Sequence, residues 1–418
     1  MRVGINIEVE PGFFGGVAPA VHSLLSALGR LEGAERYLLI VRNERQAEWL
    51  KGLGANQEIV FFQEPSVNYP RRQWRRLKSL VWDRLKPSPH WPEPVLSTGF
   101  FEGLGCDVLH FPTQSFTYCA TPTVYNPHDL QHLHYPQFFT VDELAWREAT
   151  YPFACRIAQT VIVNSQWIKE DVARQFAVSF DKIQVIPEAM PAELAQDVSE
   201  AKKAETLSRY GLRPGFVFYP SMTWPHKNHQ RLFEALAYLR DKHGLKMQLV
   251  CTGARHEASW PKLTERIEAL RLQDQVRFLG FVSAAELKSL YALARCLVLP
   301  TLFEANSLPI FEAWAEGTPV ASSNVTALPE QVMDAGLLFD PLDPEAMGDA
   351  IARLFQDDAL CADLRTNGKA RLADFDWNRT ARAYRAVYRR TAGLRLSEED
   401  NELLAWDWMR HPKRDEGI

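Results

Sequence analysis

The residues best suited to chemistry lie in one stretch, Thr301-Leu-Phe-Glu304-Ala-Asn306-Ser307-Leu308-Pro309-Ile-Phe-Glu312, just after the apolar run Arg295–Pro300. That run reads as a buried strand ended by its proline. A helix should follow: Ser307 is placed to cap it, Pro309 suits its first turn and Gly317 stops it. Glu304 then falls in the loop at the strand's carboxyl end and Glu312 early in the helix. Both carboxylates would face the crevice where open α/β sheets hold ligands. Between them, the unpaired amides of Asn306, Ser307 and Leu308 would seat a phosphate. Carboxylates for hydroxyls and a helix amino end for a diphosphate outline a nucleotide-sugar site.

The elements that must position these residues follow from the rest of the chain. Arg2–Val9 alternates like a first strand, and Gly15-Gly16 leads into an apolar helix over Ala18–Leu31. Such glycines either let the backbone approach an anion or simply make a tight turn. Strands at Tyr37–Val41 and Glu58–Phe62, with a helix at 44–53 between them, predict a parallel, doubly wound sheet. Two more apolar runs follow, Cys106–Phe111 and Thr121–Asn126. The second ends in Pro127-His128-Asp129-Leu130, a histidine at a strand's carboxyl end, where α/β sheets keep catalytic groups. Ser165 reads as a helix cap, and Ile183–Pro187 closes a first domain over residues 1–190. A polar, proline-punctuated linker with a short helix spans 191–214.

A second domain, 215–392, opens with strand Gly215–Tyr219 and a loop carrying Lys227, a point charge for a phosphate or a solvated lysine. A helix over Gln230–His243 follows, then strands at Met247–Cys251 and Val276–Leu279, the latter turning at Gly280-Phe281-Val282. Ser283-Ala-Ala-Glu286 is a capping box. Beyond Gly317 come strands at Val320–Ser323 and Gly336–Phe339, a turn at Ala327–Glu330, and helices over Pro344–Gln356, Arg379–Arg390 and Glu398–Arg410.

The spacing Glu304-x7-Glu312, with Glu316-Gly-Thr-Pro-Val and Pro329-Glu-Gln-Val after it, resembles the donor-site signature of retaining glycosyltransferases of family four. The resemblance implies the GT-B fold: two Rossmann-like domains facing a cleft, with a terminal segment (393–418) crossing back to the first. It implies a nucleotide diphospho-sugar donor, GDP- or UDP-linked, and a glycan or lipid-linked acceptor in cell-surface polysaccharide synthesis. The His-Asp-Leu run gives His128 a place beside the sugar and diphosphate, and Lys227 inherits the phosphate-binding lysine. Glu304 holds the sugar, Glu312 the ribose, Gly15 and Gly16 lie under the diphosphate, and the backbone of Gly280, Phe281 and Val282 holds the base. The family's upstream glycine-arginine pair is replaced here by Pro220, Ser221 and Met222. That departure leaves open a non-catalytic nucleotide-sugar binder; another GT-B chemistry, such as an epimerase, is a further alternative.

Composition bounds these readings. The 418 residues suit two domains, and 46% hydrophobic with 24% charged residues is globular. A net charge of -5 argues against a nucleic-acid binder. Six scattered cysteines suggest buried thiols in a reducing compartment. The amino terminus is too soon charged for a signal peptide, and no run reaches membrane-span length, so a cytoplasmic or peripheral protein is expected. No metal is expected: His128, His132 and His134 lack cysteine or paired-carboxylate company, and there is no Asp-x-Asp. Within an insertion over about 64–100, residues 69–86 form a basic, tryptophan-bearing amphipathic stretch. It reads as a contact for a membrane surface or a polyanionic acceptor, or as a solvated helix.

Overall fold

Short apolar runs make the strands, and those in the middle of each sheet are buried on both faces, as a parallel sheet covered by helices requires. The computed structural model describes residues 1–10, 16–52, 54–63, 95–190 and 198–408. Gly15, the basic stretch 69–86 and the first part of the expected linker lie outside them. The described residues divide into two compact units. One holds Met1–Asn164, Ile168–Ile186 and Trp377–Trp406; the other holds Ser165–Trp167, Pro187–Asp376 and, at the described end, Asp407 and Trp408.

The first unit is built on β1 (Arg2–Asn6), β2 (Arg36–Val41), β3 (Gln57–Phe61), β4 (Val108–Phe111), β5 (Thr123–Tyr125), β6 (Thr160–Val163) and β7 (Ile183–Val185). Their order is β3-β2-β1-β4-β5-β6-β7, and every recorded pairing is parallel. The second unit carries β8 (Val217–Pro220), β9 (Leu249–Thr252), β10 (Val276–Phe278), β11 (Cys296–Leu299), β12 (Val320–Ser323) and β13 (Leu337–Phe339). These run β10-β9-β8-β11-β12-β13, again parallel. Each sheet therefore reverses its order once, between β1 and β4 and between β8 and β11. Those are the points where loops diverge and leave a ligand crevice.

Caps fix the connecting helices. Ser283 and Glu286 form the expected reciprocal box, and Asp343 caps Pro344–Gln356. Two expectations change, and one helix was not foreseen. Ala327–Glu330 is no plain turn but runs into a short helix, Leu328–Val332. Helix Val141–Ile157 has apolar residues on both faces, so periodicity hides it. Its signal is the Thr140–Glu143 capping box. The short helix expected within the linker is Glu200–Tyr210, and it belongs to the second unit, where Tyr210 donates to Glu286. No helix among the described residues is long and apolar enough to cross a membrane.

The main domain correction concerns helix Trp377–Thr391, which belongs to the first unit, so the division falls at 376/377 and not at 392. Its apolar stripe, Ala381, Tyr384, Val387 and Tyr388, is buried. Periodicity identifies that face but not the core that receives it. Hydrogen bonding decides. Asn126 Nδ2 donates to the Tyr384 hydroxyl at 2.8 Å, which leaves Asn126 Oδ1 to accept from His110 Nε2 at 2.8 Å. The other ring nitrogen, His110 Nδ1, then accepts from the Tyr388 hydroxyl at 2.8 Å. The helix Glu398–Ala405 follows it into the same unit and is tied by Asp400 to Arg389 at 3.0 Å. Replacing Tyr388 by Phe leaves a buried imidazole nitrogen unsatisfied and should cost about 1–3 kcal/mol. Urea unfolding of Tyr388→Phe checks this, and stability equal to the parent's would remove the ring of bonds as the reason for the helix's place.

Candidate active site

In the second unit, the loops leaving β8 and β11 are stitched together. The His226 carbonyl accepts from Leu302 N at 2.8 Å and from Thr301 Oγ1 at 3.3 Å. Asn228 takes up a left-handed conformation, φ 59°, which asparagine tolerates better than most residues. Its side-chain amide donates to the carbonyls of Pro300 at 2.8 Å and Pro341 at 2.9 Å. Tyr219 donates its hydroxyl to the Lys227 carbonyl at 2.7 Å. These bonds fix the short 3₁₀ turn Pro225–Lys227 against the loop that carries Glu304. The result is an ion pair, Lys227 Nζ to Glu304 Oε2 at 2.8 Å, with the side chains 23% and 16% exposed. The backbone of Glu304 is clamped as well, its N–H donating to Thr326 Oγ1 at 3.1 Å and its carbonyl accepting from the same hydroxyl at 2.6 Å.

The helix Leu308–Ala315 begins at Ser307, but two expectations about its start need correction. The Ser307 side chain makes no capping bond. Its amide is not free either: it donates to Gln331 Oε1 at 2.9 Å, while Gln331 Nε2 donates back to the Ser307 carbonyl at 2.8 Å. Asn306 uses its side chain to reach Glu188 Oε2 at 3.2 Å. An anion at this helix end therefore finds Leu308 N and Asn306 N, not Ser307 N. Glu312 sits one turn in, half-buried, and its Oε2 accepts from the Tyr291 hydroxyl at 2.5 Å. Burial pushes its carboxyl up to about 7, against the lowering effect of the Tyr291 bond. A small recess lined by Met190, Lys288, Tyr291, Glu312 and Ala315 opens beside it. Gly280 turns at φ 73°, and its carbonyl accepts from Gly253 N at 2.8 Å.

The first unit carries the remaining candidates. Gly16 precedes helix Val17–Arg30 with an ordinary φ of -73°, so what it offers is the absence of a side chain. His128 leaves β5 at φ 63°, and its Nε2 lies 2.8 Å from the Pro112 carbonyl at the end of β4. That hydrogen bond holds the ring in place. Asp129 accepts from Gln131 N at 3.0 Å and so braces the loop. The neighbouring histidines go elsewhere: His134 pairs with Asp171 at 2.7 Å, and His132 is buried against the Tyr151 ring. No cluster of metal-ligating side chains occurs among the described residues.

The structure thus brings Lys227 and Glu304 together, sets Glu312 against Tyr291, and carries His128 on the other unit. Reading the sequence did not find Asn228, Tyr291, Thr326 or Gln331. Asn228 had a local signal, an asparagine between a loop lysine and a helix start. The other three act across 21 to 24 residues, and although Gln331 lies in the Pro329-Glu-Gln-Val run, nothing local points to its partner.

A "Glycosyltransferase Family 4" profile matches residues 14–194, and a "Glycosyl transferases group 1" profile matches residues 208–371. The chain belongs to the family-four glycosyltransferases. O-antigen chain mannosyltransferase B of Escherichia coli is 29% identical over 287 residues, 67% of this chain and 74% of that protein. Serotype-specific mannosyltransferase WbdA of Escherichia coli is 26% identical over 54% of this chain, and the match spans only 28% of its length. Among solved structures, Anabaena HepE in complex with UDP and glucose superposes with a TM-score of 0.68 at 19% identity, covering 93% of this chain and 99% of that one. This likeness, with the two parallel sheets, establishes the GT-B fold of the family-four enzyme.

Burial also fixes the charge of the family-four enzyme's interior. It pushes His110 down to about 4 and His229 down to about 3. Both are neutral in the folded chain, whereas unfolded histidine takes a proton near pH 6.5. Below that pH the unfolded chain binds more protons, so stability is present above about 6.5 and is lost as pH falls toward 4. Each group contributes up to about 1.4 kcal/mol per pH unit in that window. Thermal melts at pH 7.5, 6.5 and 5.5 should show a falling midpoint, with a shallower fall for His229→Phe. A midpoint flat from 7.5 to 5.5 would contradict the assignment.

Proposed function

We propose that the enzyme moves a hexose, with retention, from a GDP- or UDP-linked donor to a glycan or lipid-linked acceptor in surface-polysaccharide assembly. The observation that carries this reading is the Lys227–Glu304 pair at the point where the second sheet reverses its order. Bond cleavage at the anomeric carbon delivers negative charge to the departing diphosphate, and a fixed cation there acts on the transition state more than on the bound donor. Lys227 is such a cation. Its ammonium has three donors, so it can bind a phosphate oxygen while keeping Glu304. Glu304 would then hold sugar hydroxyls and Glu312 the ribose. The acceptor oxygen attacks from the face that the diphosphate leaves, and its proton passes to the departing phosphate. The mannosyltransferase names of the relatives make a mannosyl donor the first to try.

The reading needs no divalent ion, because Lys227 and helix amides carry the charge. The stretch 69–86 is proposed as a contact for an anionic membrane surface, on the cytoplasmic side. His128, on the first unit, is proposed to act on transfer itself and is tested separately.

Lys227→Ala and Glu304→Ala should each lower kcat by at least about 10²-fold without moving the melting temperature by more than a few degrees, and His128→Ala should lower kcat more than it raises donor KM. EDTA should leave turnover unchanged. Nuclear magnetic resonance of the product should show the donor's anomeric configuration. Nucleotide-sugar binding with no turnover on any acceptor would favour the binder, and full activity of Lys227→Ala would end the proposal.

Glu312 predicts a pH dependence. With its carboxyl near 7, it loses its charge as pH falls, and with it part of its hold on the ribose. Donor KM should therefore rise between pH 8 and pH 6 while kcat changes less. Tyr291→Phe removes a bond that lowers the carboxyl's pKa and should move the whole profile to higher pH. A donor KM that does not vary with pH would count against Glu312 as the ribose ligand.

A further inference from the structure

Three loops at the carboxyl ends of β8, β9 and β10 form one continuous ledge. Thr223 N donates to the Ala254 carbonyl at 3.1 Å, His256 N donates to Thr223 Oγ1 at 2.7 Å, and Gly253 N donates to the Gly280 carbonyl at 2.8 Å. The contact is close enough to dictate a residue. Gly253 stands at φ 101°, and a Cβ there would come within 2.9 Å of Met222 N and of the Ser221 carbonyl carbon. The loops are thus locked in register and their side chains are held at fixed places along the edge.

On this ledge lie aromatic groups that the fold does not bury. Trp224 is 39% exposed, and Phe281 is 75% exposed. The Trp224 and His256 rings stack at 4.4 Å with a 30° tilt, and His256 Nδ1 is fixed to Ser259 Oγ at 2.8 Å. A tryptophan backed by a hydrogen-bonded imidazole and exposed over more than a third of its surface is a flat platform held in place. Trp224 also opens the turn that ends in Lys227, whose N–H donates to the Trp224 carbonyl at 2.9 Å. Platform and cation therefore belong to one fixed turn.

We infer that Trp224, backed by His256, is the floor on which the base of the donor nucleotide stacks. The inference rests on the proposed nucleotide-sugar reading and extends it to this subsite. A ligand whose diphosphate is held by Lys227 has its next bulky group within reach of the same edge, and a base offers a flat π-face whatever its hydrogen-bonding pattern. Stacking of this kind is tolerant of base identity and favours the larger purine face. An acceptor sugar would also stack on tryptophan, but continuity with the turn that carries the phosphate cation favours the donor.

The test compares wild type, Trp224→Ala, Trp224→Phe and Lys227→Ala by calorimetry with GDP, UDP and inorganic pyrophosphate. Trp224→Ala should weaken the preferred nucleoside diphosphate by about 10- to 100-fold, Trp224→Phe should restore most of it, and pyrophosphate affinity should stay within twofold. Lys227→Ala should weaken nucleotide and pyrophosphate together. Unchanged nucleotide affinity in Trp224→Ala, an equal loss for pyrophosphate, or an effect confined to acceptor KM would overturn the stacking floor while leaving the donor reading intact. A wild-type protein that binds pyrophosphate and no nucleotide would overturn both.

Discussion

One carbonyl, that of His226, and one side-chain amide, that of Asn228, hold the ends of β8 and β11 together. The chemistry of the second unit depends on that stitch. An exposed lysine and glutamate on separate loops would form a loose pair worth little. Fixed in register at 2.8 Å and partly removed from water, they become a cation of known position with its carboxylate beside it. Preorganisation of this kind is what electrostatic catalysis draws on, because no reorientation is left to be done as charge develops. The strained residues support the same arrangement: Asn228 and Thr326 both sit at positive φ, and both bond to the loop that bears Glu304 or to its flanks.

The histidines beside Lys227 add no charge to it. His226 and His229 flank it, and burial together with the lysine's own positive charge drives both imidazoles well below their ordinary range, to about 2 and about 3. The stretch from His226 to His229 therefore presents one ammonium and two neutral rings at any working pH. A site of that kind attracts an anion without requiring several buried cations, each of which would carry a desolvation penalty. It also shows how this chain departs from the family's usual pattern, in which an arginine stands a few residues upstream of the lysine. Here that stretch holds Pro220, Ser221 and Met222, and an aromatic ring, Trp224, stands close by.

Much of this was legible in the sequence. The strands announce themselves as apolar runs, and the places where Lys227, Glu304 and His128 leave their strands follow from the alternation of strand and helix. The family resemblance supplied the roles. Other features were out of reach for a physical reason. Gln331 takes the Ser307 amide from a segment that reads as a turn, so an amide that looks free in the sequence is occupied in the fold. Helix Trp377–Thr391 shows its buried face plainly, yet only His110 and Asn126, more than 250 residues earlier, tell which core it enters. Local patterns report on periodicity and capping; partners far along the chain are chosen by geometry that no window contains.

That late helix has a consequence for how the chain is made. Domains tend to fold as units while the ribosome is still working, amino-terminal ones first. The first unit does not permit this, since its sheet is finished by about residue 186 but the tyrosines that satisfy His110 and Asn126 come after residue 376. The second unit, almost uninterrupted between those points, can mature while the earlier sheet waits with an uncovered face. The half translated first is thus completed only after almost all of the second has been made, and during that interval it is the part of the nascent chain most in need of protection from aggregation.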